Sequence, residues 1–212
     1  QFGVRFMPGQ LVQPTPLLQA DLIQAIPTDE GAAYWSNLDF IRKNEGCVAM
    51  PGCVGLEYTP TDGITVVPLL STDTTGCWNR IVATDFVRDS VRYMPETGDQ
   101  AGIFTTTLAL TRNVNDLEQR VLIVGNTDFL SNGEFATGRR EVRNFNGILK
   151  HAAFYWLSHE ELPVNTEGDA PIDRKLYVSE AAMEIWSIVF MVVIPVILAL
   201  AGIIIWVRRR GR

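Results

Sequence analysis

The chain has 212 residues, is 47% hydrophobic and 20% charged, and carries a formal net charge of −6. This balance excludes a disordered or low-complexity chain and allows one buried core, or one core with a small annex. The acidic excess repels phosphate backbones and sets nucleic acid aside as a partner.

Residues 1–62 are rich in Pro, Gly and Gln and show little regular period. They read as a loop-rich segment packed on the main domain through Tyr34, Trp35 and Phe40, with one short alternating strand at residues 2–6 and otherwise ordered loop with short elements. Three cysteines follow: Cys47, Cys53 and Cys77. Outside the cytoplasm thiols tend to oxidise. Cys47 and Cys53 bracket a Met-Pro-Gly turn and are expected to form a disulfide, while pairings through Cys77 stay open. A zinc site would lack a fourth ligand, because His151 and His159 lie far along the chain.

Residues 63–180 read as an α/β domain. Residues 64–70 form a compact β-branched run, hence a strand, leading into a polar loop at 71–75. Residues 103–111 read as a second strand, followed by a polar turn with Asn113, Asn115 and Asp116. Residues 120–124 are a short apolar run ending at Gly125, which predicts a central strand buried on both faces. Residues 141–159 predict a helix whose inner face carries Phe145, Ile148, Leu149, Ala152, Tyr155 and Trp156, stopped by Pro163. A last edge strand is expected at 176–178.

Residues 185–207 carry no charge, and 23 residues exceed the roughly 20 that cross a bilayer as a helix. Trp186 and Trp206 stand near the two ends, and Arg208, Arg209, Arg210 and Arg212 follow. Arginines beside a span stay on the cytoplasmic side, so 208–212 reads as a cytoplasmic basic tail and the main domain as extracytoplasmic. Pro195 removes one backbone bond and predicts a kink. Pro195, Ala199 and Gly202 are expected to contact neighbouring membrane helices.

The best candidate for binding chemistry is the segment from Val124 to Gly133. Ligands of open α/β sheets bind beyond strand carboxyl ends, which nominates Asn126, Asp128, Ser131 and Asn132. The alternative is that these side chains bond their own backbone and cap a short helix. The 71–75 loop offers hydroxyls of the same kind. No nucleophile, zinc-protease or phosphate-loop motif is present. A triad could draw only on His151 or His159, both expected in solvent. The expectation is a non-enzyme without cofactor or metal.

The run Arg120-Val-Leu-Ile-Val-Gly-Asn-Thr-Asp-Phe-Leu-Ser-Asn-Gly-Glu134 resembles the signature of the gliding-motility-associated ABC-transporter auxiliary proteins (the Gldg family). Tyr155-Trp156-Leu157, the segment Glu161 to Asn165, and a membrane helix with Ile194-Pro195, Gly202, Trp206 and arginines are similar too. Weaker likeness covers Phe2 to Arg5, Leu11 to Gln13 and Gly63 to Thr72. The chain departs at Asn126, where the family has Asp; the family also usually has a longer ectodomain with its own N-terminal anchor, of which only the C-terminal half is expected here. It is therefore expected to be the C-terminal part, as a fragment or a truncated relative.

The resemblance implies an amidotransferase-like or flavodoxin-like open-sheet domain without the catalytic cysteine. It also implies an accessory role beside an ABC permease and its ATPase, with the chain in a bacterial inner membrane and its domain periplasmic. Two alternatives stand beside that role. One is a membrane-anchored ligand-binding sensor or hydrolase using the Asp128 loop. The other is a structural subunit recruited to another membrane complex.

Overall fold

The computed structural model describes residues 2–15, 18–73, 76–87, 91–131, 133–134, 142–161 and 180–210. Two compact units divide the chain, Gln1–Val164 and Asn165–Arg212.

The first unit is mixed α/β. Its strands are β1 (Val4–Phe6), β2 (Gln10–Val12), β3 (Leu22–Pro27), β4 (Val48–Pro51), β5 (Leu56–Tyr58), β6 (Thr65–Ser71), β7 (Trp78–Arg80), β8 (Gln100–Ala101), β9 (Thr105–Val114) and β10 (Leu117–Val124). Its helices are α1 (Asp29–Tyr34), α2 (Ser36–Lys43) and α3 (Asn146–Leu157). The larger sheet runs β1-β5-β9-β6-β3-β4, with β10 joined to β9, and a smaller sheet runs β2-β7-β8. Each pairing between these strands is antiparallel. The α/β class therefore stands, while an open doubly wound sheet would pair its strands in parallel.

Two expectations are corrected. Residues 1–62 are not loop-rich, because they supply β1 to β5 and both α1 and α2. Their regular elements are short, and β3 is buried on both faces, so no clean period shows. Second, residues 120–124 are not an interior strand. They end β10, which pairs only with β9 and has no fully buried residue. The two strands form a hairpin in register from Leu117↔Val114 to Val124↔Thr107. Asn115 (φ 51°) and Asp116 (φ 63°) make the two-residue turn in the left-handed region that Asn and Asp tolerate.

The apolar run of β10 is explained by alternation. Leu122 and Val124 pack on the main core with Ala109, whereas Val121 and Ile123 join Leu108 and Leu110 on the opposite face. Phe2 and Val4 pack against that second cluster. The main core takes Leu38 and Ile41 of α2 and Leu149, Ala152, Ala153 and Trp156 of α3. The α3 stripe is rotated from the expected one, with Ala153 buried and Tyr155 exposed. Thr28 starts α1: its Oγ1 accepts the Gly31 amide at 2.8 Å, and its own amide donates to the Leu69 carbonyl at 3.1 Å.

Trp156 is 9% exposed and packs on Trp35, with ring centroids 5.5 Å apart. Arg120 explains a cation in β10: its Nη1 donates to the Trp156 carbonyl at 2.8 Å, near the C-terminus of α3 where cations are favoured. A Trp156→Ala variant is expected to lose about 3 kcal/mol of stability in urea unfolding, at the lower end for a buried tryptophan because its edge reaches solvent. A loss under about 1 kcal/mol would show that this face is not core.

In the second unit Glu180–Ile188 is α-helical (α4), Val189–Val193 forms a π-helical turn, and Ile194–Arg210 continues as α-helix (α5). The Ile194 amide donates to the Val189 carbonyl, five residues back. Pro195 has no amide to offer the fourth residue before it, and the wider turn sits where the regular ladder breaks. Ile185–Arg210 is long and apolar enough to cross a membrane, and its most hydropathic window is 0% buried. The expected strand at 176–178 and the Pro163 stop lie outside the described residues.

Candidate functional site

The nominated loop follows β10, and the residues around it are mainly joints. Gly125 donates its amide to the Thr106 carbonyl and accepts from the Val54 amide, both at 2.8 Å. A Cβ here would lie 2.0 Å from the Val54 carbonyl oxygen, so only glycine lets these backbones meet. Gly125→Ala is therefore expected to lower the thermal midpoint by several degrees, a loss of about 2 kcal/mol or more. An unchanged midpoint would rule out the close approach.

Asn126 is 7% exposed. Its Oδ1 accepts the Phe129 amide at 2.6 Å, and its Nδ2 donates to the Pro51 carbonyl. The bond to Phe129, three residues on, is of the capping type and starts the short 3-10 helix Asp128–Leu130. Ser131 Oγ accepts the Glu134 amide at 3.4 Å. Asp128 is exposed, Phe129 is buried in the core, and Asn132 lies outside the described residues. The structure thus ties up Asn126 and Ser131 in backbone bonds and leaves Asp128 in solvent. In the other nominated loop, Thr72 is buried and its Oγ1 accepts the Phe104 amide at 2.9 Å.

Asn146 holds the same junction from the other side, and its role is not visible from residue spacing. It is 1% exposed. Its Oδ1 accepts the Ala49 amide at 2.8 Å, and its Nδ2 donates to the carbonyls of Ala49 at 2.9 Å and Phe129 at 3.0 Å. One side chain therefore binds the start of α3, the β4 backbone and the end of the loop.

The expected disulfide is absent: Cys47, Cys53 and Cys77 are free thiols. The strand Val48–Pro51 separates the first two, at about 3.3 Å per residue, which places them beyond the roughly 7 Å a disulfide allows. Cys47 packs with Leu22 and Ala49, whereas Cys53 sits in the main core 3.9 Å from the Met50 sulfur. Burial pushes both thiols up to about 12 from 9.0. Above pH 9.0 the unfolded chain ionises there while the folded chain keeps its protons, so this part of the stability is full below 9.0 and is lost as pH climbs towards about 12. In the native chain at about pH 8, iodoacetamide is expected to leave Cys47 and Cys53 unmodified until denaturant is added. Rapid labelling of either in the native state would contradict their burial.

A cleft of about 570 Å³ with a mixed polar and apolar lining opens elsewhere, between the segment after β2, β3 and the end of α2. Gln13, Thr15, Ile26, Arg42, Glu45 and Arg143 are among the residues around it. A second cavity of about 410 Å³ borders Cys77, Trp78 and Tyr93, whose rings meet edge to face at 5.8 Å. At the end of β7 and just before β8 lies a buried ion pair, with Arg80 Nε 3.0 Å from Asp99 Oδ2. His151 stacks on Tyr155 and is exposed, and His159 is half-exposed, 3.8 Å from Glu118. Neither stands in the cleft. Compared with known protein families, curated proteins and solved structures, the chain matches none.

Proposed function

We propose that the chain is a non-enzymatic accessory subunit of a membrane complex. In this reading it is the periplasmic auxiliary component of an ABC transporter of gliding-motility type, working beside a permease and its ATPase. The observation that carries the proposal is the helix Ile185–Arg210, with a mean hydropathy of 3.2 in its best window and no part of that window buried. Such a helix needs lipid or a partner helix around it. Arg208, Arg209 and Arg210 at its end support a cytoplasmic C-terminus and, in this reading, a main domain on the periplasmic side of a bacterial inner membrane. Pro195 and the π turn beside it, with Ala199 one turn on and Gly202 two turns on, supply an irregular face for close helix contact.

Two features support an accessory role over catalysis at the Asp128 loop. Asn126 and Ser131 are committed to backbone bonds, and Asp128 is exposed with no His, Lys or Cys among the described residues of the loop to act as its base or nucleophile. The family's amidotransferase-like or flavodoxin-like sheet would be parallel, so antiparallel pairing confines the proposal to the anchored accessory role and leaves descent from that fold as a separate question.

The test is purification of the full chain in mild detergent from its native membrane. A permease and a nucleotide-binding subunit should co-purify in fixed proportion. Recovery with only unrelated membrane proteins would overturn the transporter assignment and leave recruitment to another complex. Topology is tested separately: protease added from the cytoplasmic side should trim only the tail beyond Val207. Digestion of the main domain from that side would reverse the orientation.

A further inference from the structure

We infer that the cleft between β3 and the end of α2 binds a small zwitterion bearing a free carboxylate and a free ammonium, such as an amino acid or dipeptide with an apolar side chain. This inference is independent of the transporter proposal, since it concerns what the soluble unit holds rather than what the helix joins.

The size comes first. About 570 Å³ is within the range of small-molecule sites and suits a dipeptide. The polar groups come next. Gln13 is only 7% exposed, and its Oε1 accepts the Gln24 amide at 2.8 Å. That bond fixes the side-chain amide at the cleft wall. Thr15 Oγ1 is buried and has no hydrogen-bond partner among the described residues. Buried polar groups are normally satisfied, so the Thr15 hydroxyl at this cleft points to an occupant.

Charge then selects the occupant. Arg143 and Glu45 both border the cleft, and neither has an ion-pair partner among the described residues. Arg42 is already bridged to Asp29 and Asp39, and Asp73 is engaged as well. One open cation and one open anion remain. A simple anion such as phosphate would meet repulsion from Glu45, and a simple amine would meet it from Arg143. A zwitterion satisfies both, with Gln13 Nε2 and Arg143 on its carboxylate and Glu45 on its ammonium. Ile26 and Pro27 supply an apolar wall for its side chain.

Glu45 adds a second indication. It ends α2 in the left-handed region at φ 51°, its amide bonding Arg42 and the next amide bonding Ile41. Glycine or asparagine is preferred at that position. A glutamate there breaks the local rule, as side chains kept for function do.

The test uses the full chain in lipid nanodiscs and isothermal titration with leucyl-leucine, its N-acetyl form and its C-terminal amide. Saturable binding of the free dipeptide is expected, with about a tenfold or greater loss on capping either end. Arg143→Ala should remove the preference for the free acid over the amide. Glu45→Gln should remove the preference for the free amine over the acetylated form. Glu45→Gly should raise the melting temperature by relieving the backbone while losing the same preference, which separates binding from folding. No saturable binding of the free dipeptide at about 10 mM would overturn the inference, as would equal affinity for the capped forms.

Discussion

Replacing Asp99 with alanine is expected to destabilise the first unit by roughly 3–5 kcal/mol, the range found when one partner of a buried ion pair is removed. The Arg80 side chain is 4% exposed and that of Asp99 0% exposed. Asp99 Oδ2 also accepts the Met94 amide at 3.0 Å, and the Arg80 guanidinium reaches the Thr84 hydroxyl at 3.3 Å and the Arg92 carbonyl. The pair therefore clamps the long excursion between β7 and β8 at both ends. Deletion of the carboxylate strands a guanidinium away from water. Arg80 Nε and Asp99 Oδ2 are close but not aligned as a hydrogen bond, and Asp99 Oδ1 has no partner, so the native pair is itself imperfect. The double change Arg80→Met, Asp99→Leu should then recover most of the loss, because two apolar groups leave no buried charge. Urea unfolding of the single and double variants measures both effects. A double variant no better than Asp99→Ala would show that the clamp acts by shape and not by charge.

Asn146→Ala should cost a similar amount, about 3–5 kcal/mol, for a different reason. The side chain serves three backbone groups at once, on Ala49 and Phe129. Each buried backbone group left without a partner costs roughly 1–3 kcal/mol. Asn146→Asp keeps the acceptor for the Ala49 amide but turns a carboxylate towards two carbonyl oxygens, so it should do no better than alanine. Hydrogen exchange gives a local readout. The amides of Ala49 and Phe129 should lose protection first, since Asn146 holds β4 and the loop together. A loss below about 1 kcal/mol, with exchange unchanged at Ala49, would mean that solvent or a neighbour replaces the amide.

Strand positions near residues 64–70 and 103–111 were legible because their β-branched and threonine-rich runs form elements of their own, seen as β6 and β9. The helix around Trp156 was legible from its three-and-four spacing, although the buried stripe turned to include Ala153. The hairpin was not read, although Asn115-Asp116 stands between two strand-forming runs. The loop after Gly125 was read as a place for a ligand or a cap, and the cap is what the side chains make. Nothing in the spacing joins Asn146 to Ala49, which lie on elements separated by most of the domain.

The sequence by itself determined what depends on neighbours along the chain: the apolar span with its terminal arginines, the α/β class, and the break at Pro195, seen as a π turn. Side-chain hydrophobicity, charge and a missing amide act within a few residues and need no knowledge of the fold. Tertiary structure decided what depends on distant partners. It made β10 an edge strand, because only pairing says which strand borders two others. It kept Cys47 and Cys53 apart, because a strand runs between them. It assembled the cleft from Gln13, Glu45 and Arg143, which no local pattern relates, because the packing of β3 and α2 brings those three segments to one place.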